Sequence, residues 1–177
     1  MIPLEIKKGL LAAQADEQVK GLLGSIPPRW GRMSPLSRLL IVELAQLLQE
    51  QDLLMPGERL DGKGLNVGLI GASRRGSLFT DRAFVDSMDE NSTLASPALF
   101  GYTLANIPLA EAALTFGLTG PVYALFADGQ PLPTAKKEAQ LLLQMQAGID
   151  MMFACEFDHY LDGSEEHFLV EMKLLAA

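Results

Sequence analysis

Residues 95–128, ASPALFGYTLANIPLAEAALTFGLTGPVYALFAD, carry the signals that decide the fold. Ser96-Pro97 begins a helix, because a serine hydroxyl accepts from an unpaired N–H group and proline suits the first helical position. Pro108 divides the helical stretch into two pieces, and Gly117 ends the second piece by permitting left-handed backbone. The apolar run 122–127 that follows a Gly-Pro break predicts a largely buried strand.

The amino-terminal side of this stretch predicts a further helix and a further strand. Ser34-Pro35 repeats the helix-start signal, and leucines recur at helical spacing between residues 36 and 48. Residues 65–72, LNVGLIGA, form a near-continuous apolar run that is typical of a parallel strand covered on both faces. A phosphate loop at residues 71–76 would need GxGxxG or GxxxxGK[ST], and neither order is present. Within residues 1–32, the pattern indicates a short strand at 2–6 and a short amphipathic helix at 7–24.

The carboxyl-terminal side predicts a helix and then a hairpin. Residues 134–146 have helical periodicity, and Thr134 is placed to cap the helix. Residues 149–157 and 167–175 read as two strands joined by a polar loop around Gly163. No internal repeat or linker divides the sequence, so we predict a single domain over residues 1–177.

Composition excludes several classes of partner. The formal net charge of -8 and the pI near 4.7 argue against a nucleic acid or an anionic membrane surface, which both reward clustered cations. No apolar run approaches the ~20 residues that span a bilayer, and no signal-peptide core is recognisable, so we expect a cytoplasmic location. The single cysteine, Cys155, forms no intramolecular disulfide, and its apolar surroundings predict burial in a strand.

The order of these elements, from the helix at Ser34-Pro35 to the final hairpin, resembles the β-ketoacyl synthase N-terminal domain. It is most similar to stand-alone chains of the chain-length-factor type, with the most specific part between residues 96 and 150; residues 1–32 match poorly. The resemblance implies an α/β fold: a thiolase-like half domain with a mixed, mostly parallel sheet flanked by helices and a C-terminal β-hairpin. It also implies that the strands at 65–72 and 122–127 are parallel neighbours, that residues 77–90 contain a helix, and that 122–127 lies at a sheet edge.

The resemblance places the nucleophilic cysteine of active synthases at the turn after the strand 122–127. Here that turn, residues 128–134, reads DGQPLPT and holds no cysteine. The His and Asn partners of such a cysteine come from a C-terminal half with no counterpart in residues 1–177. Gln130 is the main candidate for a vestigial acyl site, because glutamine replaces the nucleophile in chain-length-factor-like subunits, and Asp128 and Thr134 are weaker candidates. We favour a plain surface loop for Gln130.

Two functions remain open on this reasoning. The first is a non-catalytic accessory or chain-length-factor-like subunit of a fatty-acid, polyene or polyketide type synthesis system, which binds a synthase, an acyl carrier protein or both. The second is an acyl-thioester-handling enzyme, such as a malonyl decarboxylase, that uses Gln130 with residues from a partner. Neither requires a cofactor or a metal. We expect a homodimer or a heterodimer with a synthase, because the leucines and Met145 of the helix 134–146 cannot all face one sheet.

The remaining chemistry-bearing residues have simpler explanations. Arg32 and Arg38 would suit an acyl carrier protein, but we interpret them as a solvated helix flank. His159 and His167 flank the predicted polar loop, where acidic residues also occur, and a solvated loop tip explains them better than a metal site. The single tryptophan, Trp30, is interpreted as a core residue.

Overall fold

A computed structural model describes residues 16–88 and 95–176 of the chain. The described helices are α1 (Asp16–Leu23), α2 (Pro35–Glu50), α3 (Leu78–Asp86), α4 (Pro97–Thr103), α5 (Asn106–Phe116) and α6 (Pro131–Met145). The described strands are β1 (Val67–Ser73), β2 (Val122–Phe126), β3 (Met151–Asp162) and β4 (Glu165–Ala176). The strand predicted at residues 2–6 and most of the helix predicted at 7–24 lie outside the described residues.

The strands form one mixed sheet in the order β2-β1-β3-β4. β1 pairs in parallel with β2 on one side and with β3 on the other, whereas β4 runs antiparallel to β3. The predicted parallel pairing of 65–72 with 122–127 is therefore confirmed, as are the edge position of the second strand and the final hairpin. The whole arrangement agrees with the expected mixed, mostly parallel α/β fold.

Helices cover both faces of the sheet. On one face α2 and α5 pack over alternate strand residues that include Leu69, Phe153 and Phe157. On the other face α6 packs over the intervening residues, such as Ile70 and Met152. Because successive side chains of a strand point to opposite faces, a sheet covered on both sides needs continuous apolar runs, which is the pattern of β1.

The helix ends follow the signals in the sequence. Ser34 and Ser96 both cap helices, and their hydroxyls accept from the N–H groups of Ser37 and Leu99. Gly117 ends α5 with a left-handed φ of 69°. Trp30 is buried, as expected, and the Arg38 guanidinium lies 5.7 Å from its ring centre. Each helix within residues 16–88 and 95–176 is too short or too polar to cross a lipid bilayer.

Two predicted boundaries are wrong. α6 begins at Pro131 instead of Thr134, because Pro131 occupies the first helical position and Gln130 precedes it. The hairpin strands continue to Asp162 and resume at Glu165, so residues 158–162 and 165–166 belong to strands and not to a solvated loop. A tight Gly163-Ser164 connection, in which Gly163 has a φ of 60°, allows strand pairing up to the turn.

Candidate functional site

The turn between β2 and α6 is the place where the resemblance locates synthase chemistry. Asp128, Gly129 and Gln130 are exposed, and Pro131 is buried at the start of α6. Gln130 occupies the position before the helix, and its side chain makes no capping hydrogen bond. Of the three candidate residues, Asp128 and Gln130 thus lie on the exposed connection, whereas Thr134 lies within α6.

The first turn of α6, residues 131–134, has no N–H group left for a ligand. Pro131 and Pro133 have no N–H at all. The N–H of Leu132 donates to Oε2 of Glu156 at 3.3 Å, and the N–H of Thr134 donates to the Gln130 carbonyl at 3.0 Å. The Thr134 hydroxyl also donates to the Gln130 carbonyl, at 2.8 Å, so Thr134 is a residue of the first turn and not the predicted cap.

Glu156 is a site residue that sequence reasoning missed. It lies on β3 beside Ala72 of β1, and its carboxylate reaches the amino terminus of α6. A negative charge at that end of a helix is stabilised by the helix dipole. The signal that could have found Glu156 is its place as the one acidic residue inside the apolar run MMFACEF. A buried strand tolerates a carboxylate only when hydrogen-bond donors reach it.

A second missed residue, Arg74, holds the turn from the other side. Its guanidinium donates through Nη2 to the Gly129 carbonyl. Arg74 belongs to the connection between β1 and α3, which forms a cradle around the buried carboxylate of Asp158. The turn is therefore fixed by contacts from β3 and from the connection that follows β1.

The Asp158 carboxylate organises that connection. Its Oδ1 accepts from the Ser73 hydroxyl at 2.7 Å and from the N–H groups of Arg75 and Gly76, each at 2.8 Å. Its Oδ2 accepts from the Arg74 N–H at 3.3 Å. Asp158 was predicted in a solvated loop, but the hairpin extends past it and the four donors offset the cost of its burial.

The two histidines do not form a joint site. His159 is only 1% exposed, stacks on Phe79, contacts the tilted ring of Phe168, and places Nε2 2.9 Å from Oε1 of Glu166. His167 stacks on Tyr160, the residue after His159, and so lies on the opposite face of the hairpin. Across residues 16–88 and 95–176, no three His, Cys, Asp or Glu side chains converge as a metal site requires.

Cys155 is buried in the core on β3, as predicted. Burial raises the pKa of its thiol, and the neighbouring Glu156 carboxylate raises it further. Because the thiolate is the reactive form, this environment suppresses nucleophilic chemistry. The cysteine therefore does not substitute for the one missing from the turn.

The edge strand β2 and the helix α6 both carry exposed apolar side chains. Phe126 is 77% exposed and Met145 is 73% exposed, and Leu141 is also exposed. The expectation that part of the α6 apolar surface stays uncovered is met for Leu141 and Met145. The β2 edge is partly protected, because Oδ1 of Asn106 accepts from the Ala124 N–H at 2.7 Å.

Comparisons with known proteins bear on the same region of the chain. No curated protein matches the sequence. The fold is similar to the ishigamide ketosynthase/chain length factor, with 17% identity, a TM-score of 0.59 and coverage of 80% of this chain and 38% of that chain. A β-ketoacyl synthase from Burkholderia phymatum STM815 has 19% identity, a TM-score of 0.55 and coverage of 80% and 34%. A ketosynthase in complex with its chain length factor from Xenorhabdus doucetiae has 17% identity, a TM-score of 0.56 and coverage of 92% and 63%.

These structural similarities establish a shared fold, and this chain spans less than two thirds of the length of each of these three structures. The family comparison is stronger evidence, because residues 3–128 match the family described as "Beta-ketoacyl synthase, N-terminal domain". That match covers more than half of the chain and includes α2, β1, α5 and β2. The chain belongs to the β-ketoacyl synthase family and corresponds to its N-terminal domain.

Proposed function

We propose that this protein is a non-catalytic, chain-length-factor-like subunit of a fatty-acid, polyene or polyketide type synthesis system and that it binds a true synthase. The observation that carries the proposal is the first turn of α6. This turn, residues 131–134, has neither a thiol nor an N–H group available to a substrate.

Acyl transfer to a cysteine requires two features at one point: a thiolate and donors that stabilise the oxyanion of the tetrahedral intermediate. Residues 128–134 supply no thiol, and the two prolines remove two of the donors that a helix start normally offers. The Glu156 carboxylate engages a third donor and adds a negative charge close to where an oxyanion would form. Chemistry and electrostatics thus both oppose acyl-enzyme formation at this turn.

The surface around β2 and α6 supports a role in assembly. Phe126 on β2 and Leu141 and Met145 on α6 are large apolar side chains in contact with solvent, and exposed apolar surface is often covered by a partner protein. One structure with a similar fold is a ketosynthase in complex with its chain length factor. We therefore propose a heterodimer with a synthase as the working form, with self-association when no synthase is present; an acyl carrier protein is a further proposed partner.

Mass spectrometry of the intact protein tests the catalytic half of the proposal. After incubation with acetyl and malonyl thioesters, the chain mass should be unchanged, whereas an active synthase treated in parallel should gain an acyl group. A stable adduct on any residue from Asp128 to Thr134 would overturn the proposal.

A pair of variants tests the physical reason. Gln130→Cys places a thiol at the start of α6, and Gln144→Cys places one on the exposed side of the same helix. Because residues 131–134 have no free donor, both thiols should react with an acyl thioester at similar rates. If Gln130→Cys is acylated more than about tenfold faster, the helix start still activates a thiol and the argument fails.

Assembly is tested by light scattering at micromolar concentration. The isolated chain should scatter with about twice its monomer mass, and addition of a synthase of this family should produce a one-to-one complex. Phe126→Lys should weaken both assemblies, whereas Glu50→Lys, at the exposed carboxyl end of α2, should change neither. If the isolated chain stays monomeric and does not bind the synthase, the assembly proposal is contradicted.

A second candidate function rests on Gln130. Its exposed side chain makes no capping bond, so its amide is available to a thioester carbonyl. A decarboxylase that borrows residues from a partner would release CO2 from a malonyl thioester only when the partner is present. Loss of that release in Gln130→Ala, with the complex intact, would favour this function over the non-catalytic one.

A further inference from the structure

A cavity of about 430 Å³ lies at the other end of the molecule from the turn. It is beside the residues that lead into β1 and β2, whereas the turn follows the carboxyl end of β2. Apolar side chains form much of its wall, among them Leu23, Met33, Leu54 and Phe116. Four charged residues also line it, namely Arg29, Glu58, Arg59 and Glu111.

Glu111 is an acidic residue of α5 that is only 6% exposed. Its Oε2 accepts from Nη2 of Arg29 at 3.1 Å, and its Oε1 accepts from the Tyr102 hydroxyl at 3.1 Å. Both oxygens therefore already have donors. The charge of the buried carboxylate is therefore balanced by one cation, Arg29.

Arg29 has unused hydrogen-bonding capacity. Its side chain is 56% exposed, and among the described residues its guanidinium makes a single hydrogen bond, through Nη2. An arginine side chain carries five N–H donors, so those of Nε and Nη1 and the second N–H of Nη2 remain available to a ligand. The Arg29 backbone is also held in the left-handed region, with a φ of 70°, a conformation that costs free energy in a non-glycine residue.

The other charged groups on the cavity wall are already paired. Arg59 forms a two-point contact with Asp61 and donates to the carbonyl of Leu114 at 2.7 Å. Glu58 pairs with Lys63 at 2.8 Å. Arg29 is thus the charged group of the described cavity wall with the most unused donors.

We propose that this cavity binds a small amphipathic carboxylate, with the carboxylate on Arg29 and an unbranched apolar tail against the Leu23, Met33, Leu54 and Phe116 side chains. Arginine and carboxylate are matched in geometry, because the planar guanidinium presents parallel N–H groups to two oxygens. A cationic ligand is disfavoured, because Arg29 repels it and already balances the charge of Glu111. The cavity volume lies within the ~300–1,000 Å³ typical of small-molecule sites.

Calorimetric titration with sodium hexanoate, octanoate and decanoate tests the proposal, with each ligand kept below its micellar concentration. Trp30 adjoins Arg29 in sequence and is the single tryptophan, so its fluorescence gives a second readout. Affinity should rise about fourfold with each added methylene that the cavity buries. Octanol, which has the same tail without the charge, should bind at least tenfold more weakly than octanoate.

Variants separate a ligand site from a purely structural ion pair. Arg29→Gln should weaken octanoate binding about tenfold or more, whereas Arg32→Gln, in the same segment but outside the cavity wall, should leave it unchanged. The double variant Arg29→Gln/Glu111→Gln removes both charges together, so it avoids an unpaired buried carboxylate, and it should also bind octanoate weakly. The proposal is overturned by the absence of saturable binding to the unmodified protein, by equal affinity for octanol and octanoate, or by full octanoate affinity in the folded double variant.

Discussion

Replacing Asp158 with alanine should destabilise the protein by about 3 kcal/mol, and the structure shows where that cost arises. The carboxylate receives four hydrogen bonds, from the Ser73 hydroxyl and from the N–H groups of residues 74, 75 and 76. The Gly76 N–H keeps a second acceptor, the Ser73 hydroxyl oxygen. Two N–H groups and one hydroxyl hydrogen therefore lose their acceptor, at about 1 kcal/mol each because Arg74 and Arg75 are near solvent.

Asp158→Asn is the matched variant for the same position. Three of the four donors converge on Oδ1, which an asparagine oxygen can replace. The amide nitrogen then takes the place of Oδ2, where the Arg74 N–H is the one donor that loses its acceptor. We expect a smaller loss, about 1 kcal/mol. Asp162→Ala removes an exposed carboxylate from the same strand and should cost less than about 0.5 kcal/mol.

Urea denaturation followed by circular dichroism measures these losses. With a typical slope of about 2 kcal/mol per molar urea, the midpoint of Asp158→Ala should fall by about 1.5 M. The reasoning is refuted if Asp158→Ala unfolds within about 0.3 M of the unmodified protein. It is also refuted if Asp158→Asn is as unstable as Asp158→Ala, because the count of donors on Oδ1 would then be irrelevant.

Three further predictions follow from individual residues. Desolvation, with a smaller contribution from the Glu138 hydrogen bond, raises the pKa of Tyr123 to about 12; since an unfolded tyrosine ionises near 10, stability should be lost as the pH rises from about 10 to 12. Tyr123→Phe should lose less stability than the unmodified protein between pH 9 and 11 in urea titrations, and equal losses would contradict this. Cys155 should resist iodoacetamide in the native state and react once urea unfolds the chain; rapid native labelling would show that the thiol is accessible. Gly117→Ala should lower stability by about 2 kcal/mol, because φ is positive and a Cβ would meet the Asp61 carboxylate, while Gly129→Ala, in open space, should change the urea midpoint little.

The elements that sequence reasoning located well are those whose signals are local. Ser34-Pro35 and Ser96-Pro97 mark helix starts through their own capping chemistry, and Gly117 marks a helix end through its own backbone freedom. The apolar run of β1 predicted burial on both faces, because no polar side chain interrupts it. Each of these inferences needs only neighbours within about four residues.

Site residues were missed where the partner lies far along the chain. Glu156 lies 24 residues from Leu132, and Asp158 lies 82 or more residues from the donors that it binds. Nothing in the order DHYLDGSEEH distinguishes a solvated loop from strand ends whose polar groups are satisfied by another segment. Burial of a carboxylate is decided by the donors that the tertiary structure brings to it.

The sequence by itself determined the class of fold, the family and the absence of a cysteine from the turn at 128–134, because these depend on residue type, periodicity and order. Tertiary structure alone decided what that turn can do. It brought Glu156 to the Leu132 N–H and Arg74 to the Gly129 carbonyl, and it formed the cavity beside Arg29 and Glu111. Such pairings arise when the sheet aligns β1 and β3 and the helices pack on it, so they depend on distances that no local pattern encodes.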